Sequence, residues 1–114
     1  MEDCIFCQIV AGKIPSQIVY QDEDVIAFRD IKPISPTHIL VIPKKHIRSL
    51  RYLTEADESL MGHIIMVANK LADQEGIAKE GYRLVISSGR QGGQMVPHIH
   101  LHLLGGRQLS GALG

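Results

Sequence analysis

Apolar residues recur along this chain at two spacings, one typical of a helix and the other typical of strands. The longest helical pattern begins at Thr54, which resembles the start of a capping box with Asp57, and it runs to about Glu75. Its apolar positions lie three and four residues apart, and they are Leu60, Met61, Ile64, Ile65, Ala68, Leu71 and Ala72. This spacing predicts one long helix that buries a single face.

Shorter segments follow the strand pattern. Five strands are predicted: Ile18 to Gln21, Val25 to Arg29, Ile39 to Pro43, YRLVISS from Tyr82, and HIHLHLL from His98. A short helix is predicted through CIFCQIVA, with Asp3 as its N-cap and Gly12 at its end. The order of these elements indicates an α+β fold with a mainly antiparallel, five-stranded sheet.

Composition limits the size of the fold and its general partners. The chain has 114 residues and is 45% hydrophobic, which predicts a single domain over residues 1–114. Its 12 basic and 12 acidic residues balance, and this argues against general attraction to nucleic acid or to an anionic membrane. The N-terminal residues lack the pattern of a signal peptide, and no apolar run approaches about 20 residues. We therefore expect a cytoplasmic protein.

The last predicted strand carries three histidines at alternate positions, His98, His100 and His102. In a strand they share one face, and the backbones of the outer two lie roughly 13 Å apart. Ligand nitrogens on one zinc ion lie within about 3.5 Å of one another, so a single metal held by all three is disfavoured. A phosphate offers several acceptor oxygens, which neighbouring imidazoles can reach together.

A single histidine on such a strand would most simply be a solvated or core residue. Three in alternation, with His38 at the start of another strand and the glycine-rich loop GRQGGQ (residues 89–94) just upstream, favour a phosphate site instead. We expect the backbone amides of Gly93, Gln94 and their neighbours to point at an anion. Taken alone, this loop would be a flexible connection, and it is not a Walker loop.

The two cysteines form the motif Cys4-x-x-Cys7. Together with two histidines, such a pair is the ligand set of a structural zinc site. Free thiols are the alternative, whereas redox chemistry is disfavoured because no strand precedes the pair.

The motif HIHLHLL resembles the histidine triad of the HIT superfamily, in which histidines alternate with apolar residues. The segments DCIFCQIVAGKIPS, AFRDIKPISPTHILVIPKKHI and GGQMVPHIHLHLLGGRQ are similar in order and spacing to its Hint branch. The resemblance covers essentially the whole chain. It implies a homodimeric enzyme that binds a purine nucleoside monophosphate unit and cleaves its α-phosphorus from an amine or a similar leaving group. It implies no cofactor for the chemistry.

Roles for the histidines follow from the same resemblance. His100 would be the nucleophile that forms a covalent nucleotidyl-histidine, and a neutral imidazole is competent for this near pH 7. His102 and His38 would contact the phosphate and help a proton to reach the leaving group. His98 would position the others. Some relatives complete a zinc site with residues that correspond to His46 and His98.

The resemblance also places the nucleoside and its phosphate. Asp30 would accept hydrogen bonds from the ribose, although it could also be a turn former. The base would be walled by Phe6, Ile9, Phe28, Ile31 and Leu40, for which plain core packing is the alternative. The segment of Gly93, Gln94, Met95 and Val96 would lie beside the phosphate.

Two residues depart from the family pattern. Ser87 stands where an asparagine usually reaches toward the phosphate, and Met95 stands where a polar residue usually lies near the leaving group. Phosphate positioning and leaving-group preference are the properties that these changes affect.

Two other functions fit the same motifs. A dinucleoside polyphosphate hydrolase or phosphorylase of a sister branch is one, and a non-catalytic nucleotide-binding or scaffold protein is the other. The basic cluster of Lys44, Lys45, Arg48 and Arg51 is interpreted as solvated surface rather than an RNA patch. His63 is interpreted as a boundary residue of the long helix.

Overall fold

The computed structural model describes residues 3–114 of the chain. It contains two α-helices and five strands: α1 (Ile5–Val10), β1 (Ile18–Gln21), β2 (Val25–Arg29), β3 (Thr37–Pro43), α2 (Glu58–Gln74), β4 (Tyr82–Val85) and β5 (Leu101–Gly105). Two short 3-10 turns, Leu50–Tyr52 and Glu55–Asp57, precede α2. The predicted α+β class is confirmed.

All five strands form one antiparallel sheet in the order β1-β2-β3-β5-β4. Its central strands, β3 and β5, are joined by pairing between residues far apart in the chain. Leu40 lies opposite His102, and His38 lies opposite Leu104. This register brings two histidine-bearing strands side by side at the middle of the sheet.

The two faces of the sheet are covered by different helices. On one face, α2 packs over Val41, Leu101 and Leu103 to form the larger core cluster. On the other face, residues of α1 join Phe28, Leu40 and other sheet residues in a smaller cluster. The predicted stripe of α2 is confirmed at Ile64, Ala68, Leu71 and Ala72, which are all buried. Ile65 was expected on this face but is 43% exposed.

The start of α2 follows the predicted capping pattern. The carboxylate of Asp57 accepts hydrogen bonds from the backbone amide of Thr54 at 3.0 Å and from its hydroxyl at 3.3 Å. The first turn is the 3-10 turn Glu55–Asp57, and the α-helix proper begins at Glu58. Just beyond the helix, Gly76 has φ +74°, a left-handed conformation that glycine adopts at low cost.

β3 begins two residues earlier than predicted, at Thr37. Three other predicted boundaries were wrong, each for a local reason. The thiol of Cys4 accepts from the amide of Cys7, so Cys4 and not Asp3 caps α1. The strand after Tyr82 ends at Val85 rather than at Ser88, where the chain enters the glycine-rich loop. The last strand begins at Leu101 rather than at His98, because the amide of Ile99 donates to the carbonyl of Ile47, beyond the end of β3.

No helix within residues 3–114 is both long and apolar enough to cross a membrane.

Candidate active site

The triad histidines lie on the α1 side of the sheet. The ring of Phe6, on α1, packs edge-on against His100 at 5.1 Å and against His98 at 5.9 Å between centroids. The intervening Leu101 and Leu103 point into the core beneath α2. The alternation therefore separates imidazoles from core side chains as expected, although only His102 lies within β5.

The protonation pattern of His100 follows from one contact. Its Nδ1 lies 2.8 Å from the carbonyl oxygen of His98, and a carbonyl can only accept, so Nδ1 carries the proton. The lone pair of the neutral ring is then on Nε2. His100 is 7% exposed, which leaves it shielded from bulk water. Such a ring is oriented for nucleophilic attack through Nε2.

His102 and His38 form a hydrogen-bonded pair across β5 and β3. Nδ1 of His38 accepts from the amide of Ile34 at 3.2 Å, so its proton is on Nε2, which lies 2.9 Å from Nδ1 of His102. His38 therefore donates to His102 when both rings are neutral. The remaining proton of His102 is on Nε2, where it can be donated to a bound group.

Burial keeps both rings of this pair neutral. Desolvation, together with the neighbouring His100 and His38, lowers the pKa of His102 to about 4. Desolvation also lowers the pKa of His38, against the opposing charge of Asp30, whose carboxylate is 3.4 Å away. Asp30 and His102 thus both face Nε2 of His38, at 3.4 and 2.9 Å.

Asp30 uses its two carboxylate oxygens differently. One accepts from the backbone amide of Lys32 at 2.8 Å, which is the contact of a turn former. The other faces His38. The sequence suggested a choice between turn former and site residue, and the geometry shows both contacts.

The residues expected around the base divide into two sets. Four of them pack together on the triad side of the sheet, and they are Phe6, Ile9, Phe28 and Leu40. Val96 packs against the same cluster. Ile31 lies outside it and is 90% exposed.

The glycine-rich loop is held by the side chain of Gln94. Its Oε1 accepts from the amide of Gly89 at 2.8 Å, and its Nε2 donates to the carbonyls of Arg48 at 2.7 Å and Val96 at 2.9 Å. This clamp was missed in the sequence, where only backbone donors were considered. No spacing signal marks it, because its partners are backbone atoms.

The expected backbone donors of the loop are already used. The amide of Gly93 donates to the carbonyl of Arg90 at 3.0 Å, and the amide of Gln94 donates to the carbonyl of Gly89 at 3.1 Å. The prediction that these two amides are open to an anion was therefore wrong. They close a tight turn, in which Gly93 takes φ +85°. Met95 beyond the turn is 88% exposed, and Ser87 before it is half-buried.

A second cluster joins both cysteines to two histidines. Nδ1 of His98 lies 3.4 Å from Sγ of Cys4 and 3.5 Å from Sγ of Cys7. Nδ1 of His46 lies 3.2 Å from Sγ of Cys7 and from Nδ1 of His98. All four donor atoms lie within 4.8 Å of one another. These separations are close to the roughly 3.5 Å between ligand atoms in a tetrahedral zinc site.

The tautomer of His98 suits the same geometry. Its Nε2 donates to the carbonyl of Pro43 at 2.8 Å, which leaves the Nδ1 lone pair facing the sulfur atoms. His98 is 0% exposed, and burial lowers its pKa. Burial and the neighbouring Cys4 raise the pKa of Cys7 to about 11. Without a cation the cluster thus favours neutral groups, and two thiols and two imidazoles are a donor set that matches zinc.

The fold and the two clusters together define an α+β protein with buried imidazoles on the α1 side of its sheet. A family model described as HIT domain matches residues 11–109. The chain belongs to the HIT-domain family.

Individual relatives cover nearly the whole chain. The purine nucleoside phosphoramidase of Escherichia coli (strain K12) is 54% identical over 108 residues, which cover 95% of this chain and 91% of that protein. An uncharacterized HIT-like protein of Synechococcus elongatus is 50% identical over 109 residues, covering 96% of this chain and 95% of that protein. The crystal structure of a HIT family hydrolase from Legionella pneumophila Philadelphia 1 has a TM-score of 0.96 at 49% identity, covering 98% of this chain and 100% of that chain. The resemblance inferred from the triad is confirmed.

Proposed function

We propose that the protein is a hydrolase that cleaves purine nucleoside phosphoramidates through a covalent nucleotidyl intermediate on His100. The observation that carries this proposal is the hydrogen bond from Nδ1 of His100 to the carbonyl of His98 at 2.8 Å, because it leaves the Nε2 lone pair free. The relative named purine nucleoside phosphoramidase supports the substrate class.

The reaction begins with attack by Nε2 of His100 on the α-phosphorus. A nitrogen–phosphorus bond forms to the imidazole, and the bond between phosphorus and the leaving amine breaks with its electron pair going to the amine. The amine needs a proton, and Nε2–H of His102 can supply it, since the rings of His100 and His102 lie 4.9 Å apart between centroids. His102 keeps its hydrogen bond from Nε2 of His38, 2.9 Å away, and it recovers the donated proton from the attacking water in the next step.

Water completes the cycle by attacking the nucleotidyl-histidine. The imidazole nitrogen leaves with the electron pair of the nitrogen–phosphorus bond, and the proton of the water returns to the histidine pair. The product is the nucleoside monophosphate, and all three imidazoles recover their starting protonation.

The nucleoside binds on the side of the triad covered by α1. The cluster of Phe6, Ile9, Phe28 and Leu40 supplies apolar and aromatic surface for a purine, and Ile31 adds an exposed apolar side chain at its edge. Asp30 accepts hydrogen bonds from the ribose through the oxygen that faces His38. Ser87, Gly93, Gln94, Met95 and Val96 flank the phosphate and the leaving group.

The covalent intermediate is tested by intact-mass spectrometry after rapid mixing with an adenosine phosphoramidate. We expect one adenylyl adduct on the parent protein and none on His100→Ala. His63→Ala is the matched control, since His63 is an exposed histidine on α2, and its adduct should equal that of the parent. An adduct that persists in His100→Ala, or turnover that survives this substitution, contradicts the proposal.

The second candidate is hydrolysis or phosphorolysis of dinucleoside polyphosphates, which would use the same nucleophile. Comparing turnover of an adenosine phosphoramidate with that of a diadenosine polyphosphate separates the two, and we expect the phosphoramidate to be preferred. A non-catalytic nucleotide-binding role requires that neither compound is turned over while AMP still binds.

We also propose that Cys4, Cys7, His46 and His98 hold a structural zinc ion. When bound, zinc would link α1 to the end of β3 and to the segment before β5, and the reaction itself does not involve it. Metal analysis of the purified protein should give about one zinc per chain, with loss in Cys4→Ser and retention in His63→Ala. A metal-free parent protein purified without chelator would contradict the site. Such a site needs reduced thiols, which favours a cytoplasmic location.

We propose a homodimer that uses the free edge of β4 and the neighbouring face of α2. All four residues of β4 are half-buried, and Ile65 and Met66 on α2 are 43% and 63% exposed. Met66→Asp should shift the protein toward monomer in analytical ultracentrifugation. Ile18→Asp at the opposite edge of the sheet is the control and should leave the association unchanged. A monomeric parent would contradict the proposal.

A further inference from the structure

A cavity lies beside the glycine-rich loop, and its lining contains none of the triad histidines. Its volume is about 530 Å³, and it is bounded by residues 48–52 on one side and by the loop on the other. This volume falls in the range of small-molecule sites.

Three arginines from separate parts of the chain line this cavity: Arg48, Arg51 and Arg90. Across residues 3–114, none of their guanidinium groups forms an ion pair or a side-chain hydrogen bond, and no acidic residue lines the cavity. Three uncompensated cations in one concavity are notable in a chain whose formal net charge is +0. Their combined field attracts anions.

The lysines beside these arginines in sequence do not line this cavity. Lys44 and Lys45 line a different cavity, and Lys45 forms an ion pair with Asp57 at 2.9 Å. The basic cluster was interpreted as solvated surface, and Lys45, Arg48 and Arg51 are exposed, whereas Lys44 is half-buried. Arg48 and Arg51 also line the cavity together with Arg90 of the glycine-rich loop.

The cavity is built from fixed walls with further hydrogen-bonding groups. The buried Ser49 and also Ser88 line it, and so does Tyr52, which is 55% exposed. The Gln94 side chain ties the two walls together through the carbonyl of Arg48 and the amide of Gly89. Because these walls are already held in place, little conformational entropy is lost when a ligand binds.

We propose that this cavity binds the phosphate groups of an anion that carries two or more of them. Guanidinium groups recognise phosphate oxygens through paired hydrogen bonds, and three of them match more charge than a single phosphate monoester supplies. The ligand is either a free oligophosphate or a phosphorylated leaving group attached to the nucleotide. The second form rests on the proposed function, whereas the first does not.

Binding is tested by isothermal titration calorimetry with inorganic tripolyphosphate. We compare the parent with the double variant Arg51→Gln/Arg90→Gln, and the control is Arg83→Gln, which removes an arginine that bonds elsewhere, to the carbonyl of Ser110. We expect saturable binding to the parent and to the control, weakened about tenfold or more in the double variant. Thermal unfolding of each variant verifies that it is folded.

A second measurement uses the parent protein alone. In two-dimensional NMR, tripolyphosphate should shift the amides of residues 48–52 and 88–91 more than those of His38 and His102, and the shifts should weaken with added salt. No binding at millimolar tripolyphosphate overturns the proposal. Equal affinity for the parent and the double variant, or shifts confined to the triad, also overturns it.

Turnover distinguishes the two sources of the anion. If the ligand is a leaving group, the double variant should raise KM for a phosphoramidate whose amine carries a phosphate and leave KM unchanged for one with a neutral amine. If the ligand is a free oligophosphate, neither KM changes while the calorimetric loss remains. If the proposed function is wrong, the parent protein turns over neither phosphoramidate, but tripolyphosphate still binds in the calorimetric titration.

Discussion

At the scale of single residues, backbone atoms fix the tautomers of the site histidines. The carbonyl of Pro43 accepts from one ring nitrogen of His98, and the carbonyl of His98 accepts from one ring nitrogen of His100. The amide of Ile34 donates to one ring nitrogen of His38. Each contact leaves the opposite nitrogen free for a defined task. Three imidazoles that look equivalent in sequence therefore differ in their contacts: His98 faces the cysteines, His100 presents a lone pair and His102 presents a proton.

Ser87 offers a direct test of the phosphate side of the site. Asparagine is longer and carries an amide donor, so Ser87→Asn should reach further toward a bound phosphate. We expect phosphoramidate turnover by Ser87→Asn to equal or exceed that of the parent, measured as kcat/KM. Ser110→Asn, near the C-terminal end of the chain, is the control for added bulk. A large loss in Ser87→Asn alone would mean that this chain positions phosphate differently.

The limits of sequence reasoning are clearest at His98. Strict alternation predicted a strand from this residue onward, but a regular strand would use its carbonyl in pairing with a neighbour. Here that carbonyl accepts from the side chain of His100 instead. Periodicity reports which face a residue occupies and carries no information about where its backbone bonds. The histidine face was predictable for this reason, and the tautomer of the nucleophile was not.

At the scale of elements, the glycine-rich loop depends on close backbone contact. A Cβ built at Gly92 would lie 2.5 Å from the carbonyl oxygen of Ser88, and this backbone atom cannot move without the loop. Gly92→Ala should therefore displace the loop and reduce kcat/KM by about tenfold to 100-fold. Gly111→Ala, where nothing lies within 4 Å of the added atom, should leave kcat/KM unchanged. An unchanged kcat/KM in Gly92→Ala would mean that the conformation of this loop does not affect catalysis.

The end of α2 is fixed to the sheet by Glu75. Its two carboxylate oxygens accept from the guanidinium of Arg29 at 2.7 and 2.9 Å, and Thr37 donates to the same carboxylate at 3.3 Å. Arg29 holds the pKa of Glu75 below its ordinary value. Because both partners are partly exposed, we expect Glu75→Gln to lower the free energy of unfolding by only about 1 kcal/mol in urea titration. The substitution Glu80→Gln, at an exposed position, should change the free energy of unfolding by less. Equal changes in the two variants would mean that the ion pair does not contribute to stability.

The existence and order of the elements were predictable because burial imposes periodicity on both helices and strands. The stripe of α2 and the three core strands follow from this. Glu75 and Arg29 are 46 residues apart and carry no periodic signal, so their pairing was not predictable. The same applies to the Gln94 clamp, while Cys4 and Cys7 were noticed only because their spacing is itself a motif.

At the scale of the whole molecule, the buried histidines make stability depend on pH. An unfolded chain protonates His102 below about pH 6.5, whereas the folded protein does so only near its pKa of about 4. The unfolded state therefore binds more protons between these values, and stability falls as the pH is lowered through them. The lowered pKa of His38 adds to the same trend.

We expect the free energy of unfolding to decrease steadily between pH 7 and pH 4.5 in urea titrations. The lowered pKa of Glu75 contributes mainly at the acidic end, below the ordinary range of a carboxyl group. His102→Gln, which cannot take up a proton, should show a shallower slope than the parent. A parent curve that is flat over this range, or a slope unchanged in His102→Gln, would contradict the assignment.

The cluster of cysteines and histidines also bears on how the protein is made. Cys4 and His98 are 94 residues apart in the chain, so their side chains come into contact only after nearly a hundred residues have been synthesised. Synthesis from the N-terminus delivers the two thiols 94 and 91 residues before His98. Until His98 is made, the ring of Phe6 has Phe28 and Leu40 to pack against, but the two thiols lack one of their imidazole neighbours. A chain that stops before His98 therefore lacks one residue of the cysteine–histidine cluster and also His100, whose ring the carbonyl of His98 orients.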